Sequence, residues 1–343
     1  MDAIEALERV AYLQDRALLP SQKTAAFLNA AEILRELPHG ELEQRVAANS
    51  LTDLAGIGPS TAAVISQAVK GQVPDRITDL EQSTVIPMGE GAELRAAMRG
   101  DCHTHSTWSD GGAPIATMAR TARDLGHEYL VVTDHSPRLT VAHGLDRDRL
   151  LAQLDEIAAL NEEMAPFRIL TGIEVDILAD GALDQDPDLL ERLDVVVASV
   201  HSKMKMESKP MTERMVMAVA SPHVDILGHC TGRKVKGFEP NQSTVRPQSA
   251  FDAEIVFAAC ARFDTAVEIN SRPERQDPPD ELLSLALDWD CKISIDTDAH
   301  APGHLEFIAY GCDKAARHGI AAERIINTWT ADDLLAWTGS HAG

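Results

Sequence analysis

The stretch Asp101-Cys102-His103-Thr104-His105-Ser106-Thr107-Trp108-Ser109-Asp110-Gly111-Gly112 decides how the rest of the chain is read. Its first residues look like the end of a β-strand, where alternation points His103 and His105 to the same side. Asp110 follows in a glycine-rich turn, so two imidazoles and a carboxylate come together. By itself the stretch also reads as a polar turn with two solvated histidines. The rest of the chain separates the two readings, because it repeats such residues at the ends of further strand-like runs.

Seven short apolar runs carry this pattern: around Cys102 and at 129–133, 168–173, 194–200, 224–227, 266–269 and 292–295. Segments between them, such as 149–164 and 250–262, have helical spacing. Repeated βα units imply a parallel sheet, and seven of them favour closure into a barrel with its site at the C-terminal strand ends. That rim receives His103, His105 and Asp110 after the first run, Asp134-His135 after the second and Glu174 after the third. His201, His229 and then Asp298 with His300 follow the fourth, fifth and seventh. Six of the thirteen histidines, with Asp110, Asp298 and Glu174, thus converge. Nine such ligands exceed what one zinc ion (about four) or another divalent ion (about six) takes, so two or three ions are implied. Mixed imidazole and carboxylate ligation suits a hydrolytic centre of zinc, manganese or iron. Cys102 and Cys230 adjoin ligands, but alternation turns them away from the rim.

Residues 1 to about 80 read as helical, with Ile4, Leu7, Val10 and Leu13, then Ala26, Leu28, Ala31, Ile33 and Leu34, at helical spacing. The run LTDLAGIGPSTAAVISQAVKG from Leu51 reads as helix, tight Gly-x-Gly turn and helix. Gly56 and Gly58 supply backbone conformations closed to other residues and leave the second helix's first N–H groups open to a phosphate. A plain αα-hairpin capping the larger domain is the other reading. Residues 81–98 form a linker ending in a short helix, and the barrel domain occupies 99–343.

The chain has 343 residues, 44% hydrophobic and 25% charged, as in a soluble globular protein. The N-terminus has neither a basic nor an apolar leader region, and no run approaches the roughly 18 apolar residues of a membrane span. A cytoplasmic location and no membrane partner are expected. Five widely spaced cysteines without a C-x-x-C pair argue for reduced thiols. The net charge of −23 argues against a broad basic surface of the kind that grips duplexes, although bound cations would neutralise part of it.

The ordered set His103-x-His105, Asp110, Thr133-Asp134-His135, Glu174, His201-Ser202, His229 and Asp298-x-His300 resembles a PHP (polymerase and histidinol phosphatase) domain over about residues 99–335. The first 80 residues resemble the helix-hairpin-helix domain of family X DNA polymerases, whose bacterial members carry both parts. No D-x-D carboxylate pair or intervening length supplies a polymerase palm. Ser60 and Val64 stand where the lyase lysines of that family are expected, so backbone binding of DNA is what carries over.

The resemblance implies a distorted seven-stranded (β/α) barrel with a trinuclear site. His103, His105, Glu174 and Asp298 would hold one ion. Glu174 would bridge to a second held with His201 and His229, and Asp110, His135 and His300 would hold a third. Glu174, Asp298 and His300 take the catalytic roles. Paired cations lower the pKa of a shared water and neutralise charge on phosphate oxygens in the transition state. Arg233, Arg272 and Arg275 could clamp a phosphate by bidentate hydrogen bonds, or pair with surface carboxylates. Asp134 could orient a ligand or end a strand, and Glu268 could serve the rim or the barrel mouth. Trp108 and His304 lie near enough in sequence to touch a substrate, whereas His39, His127, His143, His223, His318 and His341 read as surface or helix residues.

Three functions follow. The first is a metal-dependent phosphoesterase acting on DNA ends as a 3′ to 5′ exonuclease, 3′-phosphatase or abasic-site endonuclease. The second is a small-molecule phosphatase of the histidinol-phosphatase type, and the third a non-catalytic DNA-binding accessory module.

Overall fold

The computed structural model describes residues 1–235 and 245–341. Chain contacts divide the protein into two compact units, Met1–Ile86 and Pro87–Gly343.

The N-terminal unit holds five helices: α1 Ala3–Arg16, α2 Ser21–Glu36, α3 Glu41–Ala48, α4 Pro59–Val69 and α5 Asp75–Ser83. A capping box starts α1: the Asp2 carboxylate accepts the Glu5 N–H at 2.9 Å, and the Glu5 carboxylate accepts the Asp2 N–H at 2.8 Å. Leu7, Val10 and Leu13 on α1 pack with Phe27, Ala30 and Leu34 on α2 and with Val64 and Ile65 on α4. The helical part runs past residue 80, because α5 continues to Ser83. Leu51–Asp53 is one 3-10 turn rather than a helix. The first arm of the hairpin is therefore α3, which ends at left-handed Asn49 (φ 53°).

The second unit contains α6 Ala92–Ala97 and then seven strands with their helices. In chain order these are β1 Gly100–Thr104, α7 Ile115–Asp124, β2 Tyr129–Val132, α8 Arg147–Met164, β3 Arg168–Asp176, α9 Pro187–Leu190 and β4 Val195–Ser199. There follow α10 Ser208–Val219, β5 Ile226–Leu227, α11 Ala253–Phe263, β6 Ala266–Asn270, α12 Asp280–Asp288, β7 Ile293–Asp296, α13 Ile308–Arg317 and α14 Ala331–Gly339. The strands pair in parallel in sequence order from β1 to β7. A parallel bridge from Thr104 to Ala299 joins the two edges. His105 N–H also donates to the Ala299 carbonyl at 2.8 Å and Cys102 N–H to Asp296 Oδ1 at 2.8 Å, so the sheet closes into a barrel.

Nearly every strand residue is buried, which is why the strands appear in the sequence as apolar runs rather than alternating ones. Two strands differ from that reading. The fifth is only two residues long, since the Asp225 side chain, not a strand carbonyl, accepts the Val196 N–H at 2.8 Å. The third continues to Asp176 and pairs Glu174 with Val197. Glu174 is thus inside its strand, level with His135 beyond the end of β2. All five cysteines are buried and unpaired. No described helix is long and apolar enough to cross a membrane.

Candidate metal centre

Glu174 is the hub of the site. It is 1% exposed, and imidazoles from four further strand ends surround its carboxylate. Oε1 lies 2.9 Å from His229 Nε2 and 3.1 Å from His201 Nε2. Oε2 lies 2.9 Å from His135 Nδ1, 3.3 Å from His103 Nε2 and 3.6 Å from His105 Nε2. Asp298 Oδ1 stands 3.4 Å from both His105 Nε2 and His300 Nδ1. At the outer edge Asp110 Oδ1 is 3.5 Å from His135 Nε2 and 3.4 Å from His300 Nε2. All nine sequence-derived ligands therefore meet at the C-terminal mouth of the barrel.

The ligand atoms fall into four overlapping groups, each within 4.8 Å: His105-Asp110-His135-His300, His103-His105-Asp298, His103-Glu174-His229 and His135-Glu174-His201. The grouping departs from the division into three sets in three places: His105 also joins the outer group, His135 also reaches Glu174 beside His201, and His229 groups with His103 rather than with His201. His105 reaches the outer group because it lies between the rings of His135 and His300, at centroid distances of 4.4 and 4.2 Å.

The donor set fits divalent cations. His103 Nε2, both nitrogens of His105 and of His201, His229 Nδ1 and Glu174 Oε2 are buried without a hydrogen-bond partner among the described residues. Leaving so many polar atoms unsatisfied costs about 1–3 kcal/mol each unless something else engages them. The charges show the same demand. Burial alone would push the Glu174 carboxyl up, but His201, His103 and His135 hold it well below the usual carboxylate range. Burial would lower His201, yet Glu174 and Asp176 raise it to about 9. His103 is likewise raised against burial, by Glu174 and Glu268. His105 is lowered, by burial first and then by His300 and His135.

A ring of partners orients the ligands. Glu268 Oε1 sits 2.6 Å from His103 Nδ1, and its other oxygen accepts the His229 N–H, which settles its place at the rim. The Asp176 carboxylate accepts the His201 N–H at 3.0 Å. Asn270 Nδ2 lies 3.2 Å from both Glu268 and Asp298. Sequence reasoning missed Asp176 and Asn270, although Glu174-x-Asp176 and Glu268-x-Asn270 repeat the two-residue spacing that found His103-x-His105. Asp298 has a left-handed backbone, φ 49°, a conformation of about 1–2 kcal/mol cost that is held where a side chain must be aimed. Asp134 does not contact a ligand imidazole. Its carboxylate accepts hydrogen bonds from Ser106 and Ser109, backbone and hydroxyl in each case, and from Gln153, and so anchors the loop that carries Asp110.

The three arginines separate. Arg275 Nε pairs with Asp298 Oδ2 at 2.9 Å. Arg272 pairs with Glu274 at 2.6 Å and places Nη1 3.0 Å from His300 Nδ1. Arg233 instead donates to the carbonyls of Arg275 and Gln276, and lines a cavity with Asn270, Ser271, Tyr310 and Lys314. Through Nε and Nη2 it braces the arginine loop. Trp108 is also committed: its indole N–H donates to Glu156 at 2.8 Å. His304 Nδ1 accepts the His300 N–H at 3.2 Å, under the ligand. His127 and His341 are buried rather than at the surface: His127 is 4% exposed and His341 pairs with Asp225 at 2.9 Å. Cys102 and Cys230 belong to no ligand group.

Of the two glycines of the turn, only Gly56 needs to be glycine, with φ 92°. Gly58 has φ −92°, open to any residue, and its N–H already donates to Thr61 Oγ1 at 2.9 Å. Val64 is 1% exposed in the core, so its position cannot present a lysine.

Residues 101–247 match the PHP domain family. The chain is 37% identical over 243 residues to the DNA polymerase/3′-5′ exonuclease PolX of Bacillus subtilis (strain 168), covering 70% of this chain and 41% of that protein. It is 28% identical over 241 residues to a probable phosphatase of Thermoanaerobacter sp. (strain X514), covering 66% of this chain and 89% of that protein. It thus spans less than half of the polymerase and most of the phosphatase. Among solved structures, histidinol phosphate phosphatase from Lactococcus lactis subsp. lactis Il1403, complexed with zinc, L-histidinol and phosphate, has a TM-score of 0.44 at 18% identity, covering 65% of this chain and 92% of that one.

Proposed function

This chain carries a PHP domain at residues 101–247, and from that premise we propose that it is a metal-dependent phosphoesterase acting on DNA ends, by removal of a terminal nucleotide or phosphate. The observation that carries the hydrolytic part is the gathering of nine imidazole and carboxylate side chains, Glu174 among them, with buried nitrogens left unpartnered. Bound divalent ions would lower the pKa of a coordinated water and offset charge on the phosphate oxygens.

The chain's own groups do the rest. Glu174, Asp298 and His300 would act as the catalytic residues. Glu174 presents both oxygens to separate ligand groups, and Asp298 keeps one oxygen toward His105 while Arg275 holds the other. His300 Nδ1 lies 2.9 Å from the Asp298 carbonyl and 3.0 Å from Arg272 Nη1, and these neighbours hold the ring with Nε2 toward Asp110. Arg272 and Arg275 lie beside Asp298 and would bind phosphate oxygens as they arrive.

DNA ends are supported by likeness to a protein named as polymerase and 3′-5′ exonuclease, and by the Gly56-Ile57-Gly58 turn before α4. A second reading, a small-molecule phosphatase of the histidinol-phosphatase type, is favoured by likeness over nearly the full length of a probable phosphatase. The charge of the N-terminal unit favours it too, with seven lysines and arginines against twelve carboxylates in residues 1–86. Incubating the manganese-loaded chain with labelled single-stranded and nicked DNA, and separately with histidinol phosphate, decides between them. Shortened or dephosphorylated DNA ends are expected; intact DNA with rapid release of phosphate from histidinol phosphate would transfer the function to the second reading.

A further inference from the structure

Beyond the ligand ring, Lys234, Arg246, Arg272 and Arg275 gather where the segment after His229 meets the loop after β6. Lys234 pairs with Arg246 by two backbone hydrogen bonds of 2.9 Å, and Val235 N–H donates to the Glu274 carbonyl at 2.8 Å. Those bonds fix Lys234 against the loop that carries Arg272 and Arg275. Arg246 Nε is tied to the Gly232 carbonyl at 2.6 Å, which leaves its other nitrogens available on the same face.

The carboxylates nearby are already engaged. Glu274 is taken by Arg272 at 2.6 Å, Asp277 by the Thr231 hydroxyl at 2.7 Å and Asp298 by Arg275 at 2.9 Å. No hydrogen bond or ion pair engages the Lys234 ammonium among the described residues. Arg275 Nη1 is buried without a partner as well. The Lys234 ammonium is held below the usual lysine range by burial and then by the guanidinium groups of Arg275, Arg272 and Arg246. Glu274, with one buried oxygen unpartnered, offsets part of this positive charge; the excess of like charges that remains is costly, and an anion relieves the cost.

We propose that Lys234, Arg246 and Arg275 form a second phosphate subsite beside the metal centre, which binds another phosphate group of the same substrate. It rests on the DNA reading for its natural occupant, the phosphodiester next to the reacting end of a strand. Arg275 joins the two sites, because its Nε holds Asp298 while Nη1 remains for the second phosphate. The subsite selects substrates with two phosphates at neighbouring positions over simple monoesters.

The test measures inhibition of p-nitrophenyl phosphate hydrolysis by the manganese-loaded full chain. The inhibitors are decathymidylate, thymidine 3′-phosphate, inorganic pyrophosphate and inorganic phosphate. Lys234→Ala and Arg246→Ala are compared with Lys209→Ala, an exposed control whose side chain is 88% exposed. Lys234→Ala is expected to reduce the preference for decathymidylate over thymidine 3′-phosphate about tenfold, and to lower its salt dependence by about one counterion. Lys209→Ala leaves both unchanged, and an unaltered manganese content shows that the fold is intact. Unchanged preferences for both decathymidylate and pyrophosphate in Lys234→Ala and Arg246→Ala overturn the subsite. If the wild type shows no preference for decathymidylate but favours pyrophosphate over phosphate in a Lys234-dependent way, the subsite stands and the DNA reading fails.

Discussion

The barrel mouth and the glycine turn of the N-terminal unit both offer groups of one polarity to a charged visitor, but they build them from different parts of the chain. At the mouth the groups are side chains, supplied redundantly by six strand ends around Glu174. At the turn they are backbone N–H groups, and the Gly58 N–H is already spent on Thr61. Substitution at the mouth should therefore be felt in metal binding and chemistry. Substitution at the turn should be felt in stability, with any effect on ligands secondary.

The largest separation is expected from Glu174→Gln. It removes the charge shared by two ligand groups and should reduce hydrolysis by two or more orders of magnitude, as roughly 10²–10³-fold follows from losing one strong electrostatic contributor. Steady-state kinetics at saturating manganese check this, and activity within about threefold of wild type would show that Glu174 is not the hub. Glu268→Gln keeps every direct ligand but weakens the partner of His103, so metal affinity should fall about 10–100-fold. Competition against a fluorescent chelator reads that change.

Protons supply a third contrast. In the metal-free protein His201 is raised to about 9 and His103 lies well above its usual range, so both carry protons at neutral pH. An arriving cation must displace them, and apparent metal affinity should rise with pH until about 9. The same raised value contributes stability to the metal-free fold that is fully present below 6.5 and is lost as pH climbs through about 9. Calorimetry in buffers of differing protonation enthalpy should show proton release on metal binding. Thermal melts should show the metal-free form losing stability over that window.

The smallest effects belong to the turn. Gly56→Ala forces a side chain onto φ 92° and toward Ile33 and Asn29 at 2.6 and 2.7 Å, for an expected loss of about 1–2 kcal/mol. Gly58→Ala meets nothing within 4 Å. Its entropy gain opposes a lost helix-cap preference, so stability should stay within about 0.5 kcal/mol. Chemical denaturation of the two variants measures both. Manganese titrations indistinguishable from wild type would sharpen the contrast with the mouth, whereas a metal defect in Gly58→Ala would break it.

The same difference explains what could be read from the sequence. The gathering of the nine candidate ligands was legible because side-chain chemistry is written in residue identity and strand ends impose a fixed spacing. The seven strands were legible because burial on both faces makes them apolar throughout. Backbone geometry is less visible: Gly58 and Gly56 look alike in the sequence, yet only Gly56 has a conformation that requires glycine. The partners Asp176 and Asn270 escaped because carboxylates and amides are common at strand ends, and only the fold shows which imidazole or carboxylate they meet. The bracing role of Arg233 escaped for a related reason, since nothing in its spacing reveals its bonds to the carbonyls of Arg275 and Gln276.

The most direct test of the central claim is the metal content of the purified chain measured together with its phosphoesterase activity, before and after exhaustive chelation. Two or three divalent ions per chain are predicted, with activity lost on chelation, restored by manganese or zinc in wild type and not restored in Glu174→Gln. Undiminished hydrolysis by the chelated, metal-free protein would contradict it.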